Sequence, residues 1–208
     1  MIPPAPQCRE DTAGVILAGG RASRMGGIDK GLLCLGGREL VRHVAQAFAP
    51  QVAELLISAN RNLDAYSALG LRVVTDVTGG YQGPLAGIAS ALHASTAALL
   101  AVVPCDSPFV AADLVSRLRA ALDAHAAQIA VAHDGGRMQP VFALLRCDLR
   151  PSLDGWLARG ERKVECWYAS HRCVAVDFSD RPEMFLNINS PDDAAGAQAA
   201  LAAGGVRA

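Results

Sequence analysis

The sequence predicts an α/β protein, a three-layer α/β/α sandwich around a mostly parallel sheet, and three observations predict it. Short apolar runs alternate with amphipathic segments along most of the chain. A glycine-rich stretch follows the first run directly, and 208 residues suffice for one domain to bury its own core. The first run, Gly14-Val15-Ile16-Leu17-Ala18, is uniformly apolar and stops at glycines, as a strand covered on both faces does. Over 39–48, Leu40, Val41, Val44, Ala47 and Phe48 recur at helical spacing, and Pro50 sets the end. Segments 54–59 and 71–75 read as strands. Segment 84–94 reads as a helix entered through Gly83-Pro84, with proline suited to the first turn. An apolar strand over 97–103 is broken by Pro104, and 113–125 is amphipathic, with Leu114, Leu118, Ala121 and Leu122 on one face. Strands are expected again over 128–132, 140–145 and 173–178, and a helix over 149–158. Ser190 caps a last helix whose first turn carries Asp192 and Asp193, and the Ala-rich tail runs out at Gly204-Gly205. This order describes a Rossmann-like sheet, in which ligands bind beyond the carboxyl ends of the strands.

Composition narrows the function classes. Lys+Arg 19 against Asp+Glu 20 leave a formal net charge of -1, so no overall field favours nucleic acid, and any anion must be held locally. The 6 cysteines form no C-x-x-C pair, which argues against a zinc site or a disulfide framework and for reduced thiols in the cytoplasm. Residues 1–11 hold prolines and acids but no apolar core, unlike a secretory signal, and no run reaches transmembrane length. The expectation is a cytoplasmic monomer with neither nucleic acid nor membrane as partner.

Chemistry concentrates in a few segments. In Leu17-Ala18-Gly19-Gly20-Arg21-Ala22-Ser23-Arg24-Met25-Gly26-Gly27-Ile28-Asp29-Lys30 four glycines would let backbone N–H groups turn toward a ligand and basic residues add charge, the pattern of a polyphosphate cradle, with a flexible loop of solvated basic residues as the alternative. It lacks both the G-x-x-x-x-G-K-[ST] of a P-loop and the G-x-G-x-x-G of a dinucleotide fold. Val102-Val103-Pro104-Cys105-Asp106-Ser107-Pro108 places a carboxylate between prolines at the end of a buried strand. Asp106 there is either a magnesium ligand or a cap for the next helix, and Cys105 reads as a packing residue. Asn187-Ile188-Asn189 sets two amides just before the last helix, as ligands or as turn formers.

Taken together, L-A-G-G-x-x-S-R-M-G-G-x-D-K-G, G-P-L-A-G over 83–87 and P-C-D-x-P over 104–108 resemble the molybdenum cofactor guanylyltransferase family, a MobA-like branch of the nucleotidyltransferases. The resemblance runs from Gly14 to about Asp193 in the same motif order. It implies a sandwich of nucleotidyltransferase type, a single domain over 1–208 with a nucleotide-binding half near 13–110 and an acceptor-binding half near 111–193. It further implies that the enzyme transfers GMP from GTP to molybdopterin, with Mg²⁺ as cofactor and pyrophosphate as product. Leu17, Ala18 and Gly19 would hold the nucleotide by backbone contact, Arg24 and Lys30 would neutralise phosphates, and Asp106 would bind the metal. Such fixed cations stabilise the charge that spreads over the transferring group.

Asp76 could accept from guanine N1–H and N2–H₂ or from ribose, and Asn60 matches a nucleotide-contacting position; turn chemistry is the alternative for both. Related sugar nucleotidyltransferases carry an aspartate where this chain has Asn189, so a second metal ligand would be water-mediated or absent. D-G-x-R-x-Q-P around Arg137 and G-E-R-K-V around Arg162 and Lys163 also resemble the family and suit the phosphate and pterin edges of the acceptor, although solvated loops share that composition. Arg137, Arg162, Lys163, Asn187 and Asn189 are thus the acceptor candidates. Rival readings are a cytidylyltransferase for the same cofactor, a sugar-phosphate nucleotidyltransferase, and a non-catalytic nucleotide-dependent molybdopterin carrier. The family also implies transient contact with a molybdoenzyme or chaperone.

Overall fold

The apolar runs assemble into one sheet whose strands end together, and that common edge is what positions the site. The computed structural model describes residues 11–19, 29–76 and 83–202. In chain order the first half comprises β1 (Thr12–Leu17), β2 (Cys34–Leu35), β3 (Arg38–Glu39), α1 (Leu40–Phe48), β4 (Glu54–Ser58), α2 (Leu63–Ser67), β5 (Arg72–Val74) and α3 (Pro84–Ala94). The second half comprises β6 (Leu99–Pro104), α4 (Leu114–Ala124), β7 (Ile129–His133), β8 (Met138–Arg146), α5 (Arg150–Ala158), α6 (Val164–Ala169), β9 (Cys173–Asp177) and α7 (Pro191–Ala202).

Among the described residues the main sheet has seven strands in the order β5-β4-β1-β6-β8-β7-β9. All pairings are parallel except those of β8, which runs against both β6 and β7. The exception has a local cause: β7 and β8 are joined by a tight turn over 134–137, and a short connection permits only antiparallel neighbours. The chain steps outward from β1 to β4 and β5, then returns to the other side of β1 with β6. That reversal opens a crevice beyond the strand ends, where ligands of open α/β sheets bind. Register places Leu17 beside both Ser58 and Pro104, and Ser58 beside Val74, so the residues that follow each strand emerge at one level.

Alternate side chains of the central strands supply two cores. Ile16, Ile57, Val103 and Leu144 pack with α1 and α4 through Val41, Phe48, Leu118 and Leu122. On the opposite face Val15, Leu56, Val102 and Leu145 pack with α3, α5 and α6 through Leu85, Ile88, Leu153, Trp167 and Tyr168. Helix α3 lies so close to the sheet that a Cβ on Gly87 would fall 2.6 Å from Ser58 Oγ and 2.9 Å from Leu17 Cδ2.

A third, small cluster lies outside these layers. Strands β2 and β3 form a hairpin through Gly36 (φ 60°) and Gly37 (φ 78°), a turn that demands two left-handed residues. Its Leu35 packs with Leu40, Ile188 and Ala194, and Gln198 Oε1 accepts from Gly36 N at 3.3 Å, so the hairpin and α7 hold each other. Neither the hairpin, α2 nor α6 follows from the sequence patterns given above. No described helix is long and apolar enough to cross a membrane.

Candidate active site

Four loops leave the common strand edge, and their first residues interlock. Ala18 N donates to Ser58 O at 2.8 Å, Ala59 N to Val74 O at 3.0 Å and Cys105 N to Leu17 O at 3.1 Å. Leu17, Ala18 and Gly19 therefore begin the glycine-rich loop beside Cys105-Asp106. Residues 20–28, with Arg24, lie outside the described residues. The loop re-enters at Asp29, and Lys30 Nζ reaches Asp106 Oδ2 at 3.3 Å while also donating to Asn189 Oδ1. The start of the loop thus meets the backbone of Cys105, and its re-entry meets the carboxylate of the next residue, Asp106.

Asp106 belongs to this site rather than to a helix cap: α4 starts only at Leu114, and the Asp106 side chain remains 16% exposed. The asparagine segment is tied to the same strand end, with Ile188 N donating to Asp106 O at 2.8 Å and Ser107 Oγ to Asn187 Oδ1 at 2.7 Å. Asn189 N donates to Asp193 Oδ2 at 2.9 Å, so the start of α7 fixes the amide that Lys30 touches. That backbone donor, followed by the Ser190 hydroxyl, holds the Asp193 carboxyl below its ordinary range.

A second polar pair stands one strand away. Asn60 Nδ2 donates to Asp76 Oδ2 at 2.7 Å, and Asp76 N donates back to Asn60 Oδ1 at 2.9 Å. A Cβ on Gly19 would lie 3.6 Å from Asn60 Nδ2, which sets this pair beside the start of the glycine-rich loop. Burial pushes the Asp76 carboxyl up, against the opposing pull of the Asn60 amide. One Asp76 oxygen accepts from Asn60 in this arrangement.

The sequence gives no sign of a third arrangement. Asp29 Oδ1 accepts from Tyr66 Oη at 2.6 Å and from Gly31 N at 3.2 Å, while Oδ2 accepts from Asn62 Nδ2 at 2.9 Å. Tyr66 is fully buried, and burial, followed by Cys105 and Asp29, pushes its phenol far up, so it remains a donor. The buried Cys105 thiol is likewise pushed up, by burial and then by Asp106, as suits a packing group.

The remaining acceptor candidates are placed separately. Arg137 sits in the β7–β8 turn with its side chain 80% exposed. The turn is held by Asp134, whose carboxylate accepts from Arg137 N at 2.7 Å, Gly136 N at 2.8 Å and Gln139 Nε2 at 2.5 Å, donors that hold its carboxyl at about 2. Arg162 Nη1 donates to Leu157 O at 2.9 Å and Glu161 O at 2.6 Å, closing the end of α5, and exposed Lys163 immediately precedes α6. No hydrogen bond among the described residues joins these three to the Lys30–Asp106–Asn189 group. The signal for α6 was present in the sequence, since Val164, Trp167 and Tyr168 stand at i, i+3 and i+4 and are all buried.

Among the described residues no cluster of three metal-ligating side chains exists. A lone carboxylate with a neutral amide beside it suits a magnesium ion that arrives with a triphosphate, because Mg²⁺ keeps most of its shell as phosphate oxygens and water. Asp106 with Asn189 fits that donor set.

The chain matches the family model of the MobA-like NTP transferase domain over residues 14–174. It is 49% identical over 178 residues to a molybdenum cofactor guanylyltransferase of Shewanella sediminis, covering 86% of this chain and 91% of that one. A second protein of that name, from Shewanella pealeana, is 50% identical over 86% of this chain and 89% of its own length. Among solved structures, molybdopterin-guanine dinucleotide biosynthesis protein A from Archaeoglobus fulgidus superposes with a TM-score of 0.75 at 22% identity, covering 92% of this chain and 99% of that one.

Proposed function

The chain belongs to the MobA-like NTP transferase family and is a nucleotidyltransferase, and from that premise we propose that it transfers GMP from GTP to molybdopterin. A terminal phosphate oxygen of molybdopterin attacks the α-phosphorus of GTP, the bond to the β-phosphate oxygen breaks, and pyrophosphate leaves. The attacking phosphate is already ionised at neutral pH, so no protein nucleophile is required and positioning with charge neutralisation supplies the rate.

Each residue has a defined task in this reading. Backbone groups of Leu17, Ala18 and Gly19 approach the nucleotide, and Asp76, steadied by Asn60, accepts from the guanine edge. Arg24 and Lys30 neutralise the phosphates. Asp106 holds Mg²⁺, with Asn189 alongside, and the bound ion would offset charge on the phosphate oxygens. Asn187 and Asn189 border the acceptor, while Arg137, Arg162 and Lys163 meet its more distant phosphate and pterin edges. The halves near 13–110 and 111–193 form one domain acting in the cytoplasm as a monomer, with transient contact with a molybdoenzyme or chaperone.

The observation that carries this reading is the 3.3 Å approach of Lys30 Nζ to Asp106 Oδ2, which joins the phosphate loop and the metal carboxylate in one site. Pyrophosphate release from molybdopterin, GTP and Mg²⁺ is the direct assay, with CTP and ATP as competitors for base choice. Asp106→Ala should release none and should lose binding of Mn²⁺ in the presence of GTP. Full turnover in that variant would remove the metal assignment.

A further inference from the structure

We propose that Asp29 is a positioning residue for this reaction, fixing the backbone from which Lys30 reaches the phosphates and Asp106. The proposal rests on the reading of Lys30 as a phosphate-neutralising group and deepens it. Lys30 lies at the re-entry of the long glycine-rich loop, and a flexible four-carbon side chain on a loosely held backbone would meet the transition state in few of its conformations. What restrains that backbone is the residue before it. Asp29 initiates the turn Lys30–Leu32, and its Oδ1 accepts from Gly31 N. A turn cap needs only that contact. Asp29 instead engages both oxygens, with Tyr66 Oη at 2.6 Å and Asn62 Nδ2 at 2.9 Å, both donors coming from α2 or its first flanking residue.

The two donors are themselves fixed. Tyr66 is wholly buried, so its hydroxyl has no water to turn to. Asn62 adopts φ 50° and ψ 36°, a left-handed conformation that asparagine tolerates better than most residues. The residue after Lys30 is held as closely: a Cβ on Gly31 would stand 2.5 Å from Tyr66 Oη and 3.4 Å from Cys105 Sγ. Lys30 is therefore bracketed by a carboxylate pinned to Tyr66 and a glycine pressed against the neighbour of Asp106. The ammonium of Lys30 itself turns to Asp106 and Asn189.

The test compares pyrophosphate release by the full chain and by Asp29→Asn, Tyr66→Phe, Asn62→Asp and the exchange pair Asp29→Asn/Asn62→Asp, with melting temperatures measured alongside. Asp29→Asn and Tyr66→Phe should each lower kcat about tenfold, the size of one lost charge-assisted hydrogen bond, with KM for GTP changing less. Asn62→Asp should be worse, because two carboxylates then face each other. The exchange pair returns one amide and one carboxylate to the contact and should regain most of the kcat that Asn62→Asp loses. If Asp29→Asn does not fold, Tyr66→Phe, which keeps the buried ring, decides alone. A kcat within twofold of the unaltered chain in Tyr66→Phe, or an exchange pair no better than Asn62→Asp, overturns the proposal. Absence of pyrophosphate release by the unaltered chain is a different failure, and removes the transferase reading on which the proposal stands.

Discussion

Lys30 and Asp106 make a partly exposed pair, with side chains 44% and 16% accessible. Such pairs add no more than about 1 kcal/mol to stability. Lys30→Ala should therefore leave the melting temperature within a few degrees while turnover falls about 10²–10³-fold, as when one fixed transition-state donor is lost. Comparable losses of stability and turnover would assign Lys30 to the fold instead. Asp76 carries a prediction in pH. Burial raises its carboxyl above the ordinary aspartate value, and in the proposed role the ionised form, acceptor-only on both oxygens, is the one that pairs best with the guanine donors. GTP affinity should accordingly decline on acidification before an ordinary aspartate would titrate, and that part of the profile should be missing in Asp76→Asn, as calorimetry across pH can show. The sign for stability is opposite: a raised carboxylate favours the fold while protonated and costs stability as pH rises through its value. Lys30 and Asp106 were legible because each sits in a compact local motif. Asp29 was not assigned, because Tyr66 and Asn62 lie 37 and 33 positions away in sequence and carry no local sign of their partner.

The elements that were legible are those whose burial is one-sided or complete over at least a turn or two. Helix α3 is legible over 84–94 because Gly83-Pro84 marks its start, and it occupies Pro84–Ala94. The hairpin is not, since strands as short as Cys34–Leu35 and Arg38–Glu39 cannot display alternation, and only Gly36-Gly37 betrays it. Its position outside the layers also depends on α7, far along the chain. Contact between α3 and the sheet gives a test at this scale. Gly87→Ala inserts a methyl where Ser58 Oγ lies 2.6 Å from the Cβ position, and overpacking of this kind costs about 1–3 kcal/mol. Urea denaturation should show that loss, and adding Ser58→Ala should recover part of it. An unchanged midpoint in Gly87→Ala would mean that α3 can shift away from β1 and β4 without cost.

Across the whole molecule, alternation of strand and helix announced a parallel sheet, but strand order and the reversed β8 are set by turn lengths and packing between distant segments. The small cluster of Leu35, Leu40, Ile188 and Ala194 buries far less than the two main cores. Amides of β2, β3 and α7 should consequently exchange with deuterium earlier than those of β1, β4 and β6, and bound GTP should slow exchange at Ile188, whose N–H donates to Asp106 O. Equal protection in all these elements would refute the division. Ile188→Ala should cost about 2–5 kcal/mol if the cluster unfolds only with the rest, and less if it opens alone. The Ile188–Asp106 bond also orders events in time. During synthesis the ribosome delivers β1, β4 and β6 well before Ile188, so the bond from Ile188 N to Asp106 O can close only after most of the chain has emerged.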